Sequence, residues 1–180
     1  MKDVVFVTGN AHKAKYLSEM LGFPVNHKKV DVPEIQSLDP EEVVIAKAKA
    51  AYAALQEPVV IEDTSLTIAA MGQLPGTFIK WFLEELGVEK LCRLADADPE
   101  RKAVASAIFA YYDGKEIRLF RGSLPGKIAE SPKGGSGFGW NVIFIPEGSE
   151  TTLGEMDEET FKKYYLKIKR FDEVEQFLTN

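Results

Sequence analysis

The chain has 180 residues, 45 % of them hydrophobic and 11 % aromatic, which is enough to bury a core and short enough for one domain over residues 1–180. Lysine and arginine number 22 against 28 acids, a net charge of −6 that argues against coating duplex nucleic acid or an anionic membrane by bulk charge; a bound polyanion needs a local basic pocket. One cysteine, Cys92, rules out an internal disulfide, and with only His12 and His27 a Cys- or His-based metal cluster is nearly excluded, a usage expected of a cytoplasmic protein.

Residues 4–7 form an apolar run of β-branched and aromatic type, too short for a signal-peptide core, that predicts a buried strand. Thr8-Gly9-Asn10 then turns the chain into a helix over residues 11–21, capped by Asn10 and closed by Gly22. Asp39-Pro40-Glu41-Glu42 predicts a second helix start: Asp as N-cap, Pro at the first helical position, acids at the positive dipole end. Ile45, Ala48, Tyr52 and Leu55 continue it at helical spacing toward Pro58. Val59-Val60-Ile61 reads as a second buried strand that ends at Glu62-Asp63-Thr64, so the first third alternates strands and helices. Farther on, residues 78–94 predict one or two helices, with Phe78, Trp81 and Phe82 on the core side. Residues 103–112 and 115–121 flank the hairpin turn Asp113-Gly114. A strand over residues 142–145, a helix over 157–165 and a terminal helix with Phe171, Val174, Phe177 and Leu178 on its apolar face complete a mixed α/β sheet architecture. No internal repeat, low-complexity tract or linker interrupts it, and no stretch reaches the roughly 18 apolar residues of a membrane helix.

Three places carry chemistry. Backbone N–H groups at the Thr8-Gly9-Asn10 turn, with Lys13 in the first helical turn, suit a phosphate, though an ordinary capped turn has the same sequence. Glu62 and Asp63, at the end of a buried strand, are hard oxygen donors of the kind that hold nucleotide-borne Mg²⁺; adjacent strand residues face opposite ways, so only one aims into a site. Glu34 is a lone acid in an apolar loop. The glycine-rich run at residues 132–141 leads into strand-like sequence, not a helix, so it is no dinucleotide fingerprint; it either presents Phe138 or Trp140 to a base beside Lys133 or merely connects. Gly122-Ser123-Leu124-Pro125-Gly126-Lys127 falls one residue short of a P-loop and lacks its following Ser or Thr. Lys47, Lys162, Lys163 and Lys167 add positive charge on helices, and Cys92 reads as a small buried hydrophobe.

In order along the chain, Thr8-Gly9-Asn10 with Lys13, Val32-Pro33-Glu34-Ile35-Gln36, Glu62-Asp63-Thr64-Ser65-Leu66, Leu74-Pro75-Gly76 before Ile79-Lys80-Trp81-Phe82, Phe138-Gly139-Trp140 and Thr151-Thr152-Leu153-Gly154-Glu155-Met156 resemble the inosine triphosphate pyrophosphatase family, also called Ham1-like or RdgB-like. The resemblance implies a two-lobed α/β domain around an elongated mixed sheet, with the nucleotide in a cleft between lobes, a homodimer, and Mg²⁺-dependent hydrolysis of a nucleoside triphosphate to the monophosphate and pyrophosphate, Mn²⁺ being a possible substitute. Carried over by position, it implies triphosphate binding by Thr8, Asn10, Lys13 and Lys47. It implies metal binding by Glu34, Glu62 and Asp63, with Asp63 as general base. The base would meet Phe138, Gly139, Trp140 and Asn141, with Lys162 and Lys167 nearby. Two departures touch the base: Asn141 stands where the family has Asp, and Tyr165-Leu166-Lys167 stands where it has Ser-His-Arg. The alternatives are therefore the same chemistry with relaxed or different base selectivity, as in Maf-like proteins, or nucleotide binding without turnover.

Overall fold

The structure is a computed structural model that describes residues 2–135 and 139–180. Its elements are β1 (Val5–Val7), α1 (Ala11–Leu21), β2 (Asn26–Lys28), α2 (Pro40–Leu55), β3 (Val59–Ile68), β4 (Pro75–Gly76), α3 (Ile79–Leu94), β5 (Lys102–Tyr112), β6 (Ile117–Ile128), β7 (Phe144–Pro146), α4 (Glu158–Ile168) and α5 (Phe171–Thr179). The strands form one mixed seven-stranded sheet in the order β2-β1-β3-β5-β6-β7, with β4 paired to β3. β1 runs parallel to β2 and to β3, whereas β4 on β3 and β7 on β6 are antiparallel.

The chain divides into two compact units, and β3, β5 and β6 each pass from one into the other. In the first unit (residues 1–63, 107–121 and 169–180) the period of two along each strand sorts side chains between two helical layers. Val5 and Val7, Val59 and Ile61, and Ile108 and Ala110 pack with Val44, Ala48 and Ala51 of α2. Their neighbours in sequence face the other layer, where Phe109 meets Phe171 of α5 at 5.4 Å between ring centroids and Tyr16 of α1 meets the same ring at 6.0 Å. α2 forms where expected because Asp39 accepts from the Glu41 N–H at 2.8 Å and Pro40 opens the first turn.

The second unit (residues 64–106 and 122–168) contains β4, α3, β7 and α4. The half-buried guanidinium of Arg101 ties it together: Nε donates to the Ile128 carbonyl at 2.8 Å and Nη2 to that of Ala129 at 2.9 Å, while Nη1 pairs with Asp96. The glycine run is anchored at both ends. The Lys133 N–H donates to Val142 O, and Gly134, at φ +85°, approaches the Gly154 carbonyl so closely that a Cβ would lie 2.1 Å from its oxygen.

Four expectations need correction. β3 does not stop at Ile61 but continues to Ile68, because Leu66 and Ile68, two residues apart, are both fully buried and Leu66 pairs with Gly76 of β4; the two acids thus lie inside a strand. The turn after β5 takes four residues, as the Asp113 carboxylate accepts from the N–H groups of both Lys115 and Glu116, so β6 begins at Ile117. Val142 belongs to a 3₁₀ turn over Gly139–Val142, and β7 covers Phe144–Pro146 instead of 142–145. Trp81 is 54 % exposed, since α3 begins at Ile79, which is buried in its place, and Lys80 lies over the indole at 5.1 Å. Gly87, at φ +74°, kinks α3 and explains why residues 78–94 read as one helix or two.

Candidate active site

The site is built where β1 and β3, side by side and parallel, deliver the chain to the turn before α1 and to the acids of β3. At the turn, Thr8 Oγ1 accepts from the Asn10 N–H at 3.1 Å and Asn10 Oδ1 from the Lys13 N–H at 3.3 Å. This capping holds Lys13 in the first turn of α1, with its side chain 27 % exposed. In β3 the alternation that sorts the core also sorts the acids: Asp63 continues the Val59–Ile61 series toward α2, and Glu62 points to the other layer.

On the α2 side, Lys47 Nζ lies 2.9 Å from Asp63 Oδ1 and 2.9 Å from Glu34 Oε1, so one ammonium gathers both carboxylates. Asp63 and Lys47 are each 14 % exposed, while Glu34 is 53 % exposed. Burial pushes the Asp63 carboxyl above the usual aspartate range, and the nearby charges of Lys47 and Lys13 offset that only in part. Burial alone would lower Lys47, but attraction to Asp63 and then Glu34 outweighs it and holds the amine above its ordinary value. A raised carboxyl beside a fixed cation is the electrostatic setting of a general base.

On the other side, Glu62 Oε1 lies 3.2 Å from Lys13 Nζ and forms a short contact with Lys169 Nζ. Lys169 sits between α4 and α5, more than a hundred residues from Glu62 in sequence, so neither spacing nor periodicity marks it. The sole hint is a basic pair, Lys169-Arg170, set between the apolar Ile168 and Phe171.

The three acids Glu34, Glu62 and Asp63 therefore do not form one ligand set, and among the described residues no three His, Cys, Asp or Glu side chains gather to hold a metal. Glu34 and Asp63 together still fit Mg²⁺, which characteristically takes one or two carboxylates plus substrate phosphates and keeps several waters.

The expected base-binding residues belong to the second unit. Trp140 is buried edge-to-face on Phe144 at 5.5 Å, Asn141 is buried beside it, and Gly139 opens the same 3₁₀ turn. Phe138 lies outside the described residues. Lys162 and Lys167 are exposed on α4, and Lys167 Nζ lies 5.2 Å from the Tyr164 ring centroid.

The model of the Ham1 family matches residues 4–177. The inosine triphosphate pyrophosphatase of Yarrowia lipolytica is 42 % identical over 181 residues, covering 98 % of this chain and 95 % of that protein. The inosine triphosphate pyrophosphatase of Schizosaccharomyces pombe is 42 % identical over 163 residues, covering 88 % and 86 %. Among solved structures, the Ham1 protein of Staphylococcus aureus superposes with a TM-score of 0.83 at 22 % identity over 98 % of both chains, a likeness that establishes the fold. Among the described residues no helix is long and apolar enough to cross a membrane.

Proposed function

Because this chain belongs to the Ham1 family, we propose that it hydrolyses nucleoside triphosphates of the inosine triphosphate class to the monophosphate and pyrophosphate. The observation that carries the reading is the Lys47–Asp63–Glu34 group beside Lys13: a buried carboxyl raised by desolvation, flanked by two lysines, next to a helix N-terminus. Thr8, Asn10 and the first turn of α1 hold the triphosphate, with Lys13 and Lys47 offsetting its charge. Asp63 takes the proton from the water that attacks the α-phosphorus, which breaks the α–β anhydride and releases pyrophosphate. Glu34 and Asp63 would hold Mg²⁺, which when bound would supply charge to polarise the phosphoryl oxygens; Mn²⁺ has the same ligand preference. Glu62 backs this group through Lys13. Phe138, Gly139, Trp140 and Asn141 receive the base, with Lys162 and Lys167 supplying charge nearby.

A second reading concerns the base alone. Asn141 is buried, and its neutral amide either donates or accepts, whereas a carboxylate there accepts from the N1–H of a 6-oxopurine. Selectivity for the oxopurine edge is accordingly relaxed. The family resemblance also leads us to place the enzyme in the cytoplasm as a homodimer. A pyrophosphate-release assay across inosine, xanthosine, adenosine, guanosine and pyrimidine triphosphates, with and without chelator, tests the reading. Pyrophosphate as the primary product, lost on chelation, supports it; chelator-resistant turnover or orthophosphate as primary product refutes it.

A further inference from the structure

The side chain of Lys169 is only 4 % exposed, as is that of its partner Glu62. An ammonium at that depth is retained against a large desolvation cost, and it persists only with a charged partner. Here the partner is shared: the same oxygen, Glu62 Oε1, contacts Lys169 Nζ and lies 3.2 Å from Lys13 Nζ. The two ammoniums differ in access, since the Lys13 side chain is 27 % exposed. Lys13, at the N-terminus of α1, is the member of the trio able to meet an incoming anion.

Charge accounting gives the trio a purpose. Glu62 and Lys13 alone form a neutral pair, in which the carboxylate competes with phosphate for the ammonium. With Lys169 included these three groups sum to a charge of +1, and Lys13 is the exposed cation among them. We propose that Lys169 is a positioning residue: by supplying the buried counter-charge to Glu62, it lets Glu62 aim Lys13 without capturing it, and so keeps Lys13 available to the substrate's phosphates. This rests on the triphosphate-hydrolysing reading of the same site. Lys169 touches no substrate atom in this scheme; it acts through Glu62 on Lys13.

The test compares wild type, Lys169→Met, Lys169→Arg and the double variant Lys169→Met/Glu62→Gln. Two quantities are read: the affinity for inorganic tripolyphosphate in magnesium buffer by calorimetry, and the split of kcat and KM for inosine triphosphate. Lys169→Met should weaken tripolyphosphate binding and raise KM by about tenfold or more, the scale of one charge-assisted contact, with kcat within about threefold of wild type. Lys169→Arg should stay within about threefold on both. Adding Glu62→Gln to Lys169→Met should recover at least about fivefold of the lost affinity, because Lys13 is released.

A merely structural Lys169 would lower melting temperature and kcat without that recovery, which overturns the proposal, as does a Lys169→Met protein that binds tripolyphosphate like wild type. The double variant removes both charges of the buried Glu62–Lys169 pair together. If Lys169→Met does not fold, the double variant decides, with affinity within about threefold of wild type supporting the proposal and a tenfold loss overturning it. Wild-type protein that binds tripolyphosphate but releases no pyrophosphate refutes the functional reading and leaves the binding comparison to judge Lys169.

Discussion

Asp63→Asn separates chemistry from stability, because the structure predicts opposite signs for the two. The substitution keeps the shape of the side chain, and Lys47 keeps its contact with Glu34 at 2.9 Å, so the local geometry survives. Removing the general base should lower kcat by roughly 10² to 10⁴, or about 2.7–5.5 kcal/mol of barrier. Stability runs the other way. Burial is the largest influence on Asp63 and raises its pKa in the fold. A carboxyl so raised contributes stability below the ordinary aspartate range, and that contribution is lost as pH rises through the folded pKa. At neutral pH the ionised Asp63 therefore detracts from stability, and asparagine removes the liability. Metal-free Asp63→Asn protein should melt at or above the wild-type temperature at pH 7, with the gain shrinking as pH falls. Glu158→Gln, exposed at the start of α4, serves as the control and should change neither quantity. A kcat for Asp63→Asn within about threefold of wild type removes Asp63 from the mechanism, and a melting temperature several degrees lower shows that the ion pair, not the burial cost, governs the site.

Arg101→Met deletes the guanidinium contacts to the Ile128 and Ala129 carbonyls and to Asp96, and should cost about 3 kcal/mol, roughly 6–12 °C in melting temperature, with little change in the activity of folded protein. Gly122→Ala places a Cβ 2.1 Å from the Ile168 carbonyl oxygen, a backbone atom that cannot swing aside, so denaturant unfolding should show a loss of about 1–3 kcal/mol. Asn141→Asp should raise the ratio of kcat/KM for inosine over adenosine triphosphate by roughly tenfold, the effect of one buried hydrogen-bonding group; an unchanged ratio removes Asn141 from base selection.

The elements that could be read from sequence are those fixed by local chemistry. Asp39-Pro40 starts α2, and α1 runs over Ala11–Leu21 between its Asn cap and Gly22. The rule that adjacent strand residues face opposite ways anticipated that Glu62 and Asp63 part company, whereas the meeting of Lys47 with both Asp63 and Glu34 depends on the fold. What escaped depends on pairing between distant segments. β3 continues past its apolar run because β4 pairs with it, a partnership no local pattern announces. Trp81 shares helical spacing with its aromatic neighbours, yet the side of α3 that is buried is settled by packing, and Ile79 takes that place. Lys169 is the clearest case: alone it reads as one more surface lysine, and only the fold brings it to Glu62.

The central claim, that water activated at Asp63 attacks the α-phosphorus, is tested most directly by a single turnover of inosine triphosphate with magnesium in heavy-oxygen water, followed by mass spectrometry of both products. The account predicts one heavy oxygen in the phosphate of inosine monophosphate and none in pyrophosphate. Label in the pyrophosphate would place the attack on the β-phosphorus and contradict it.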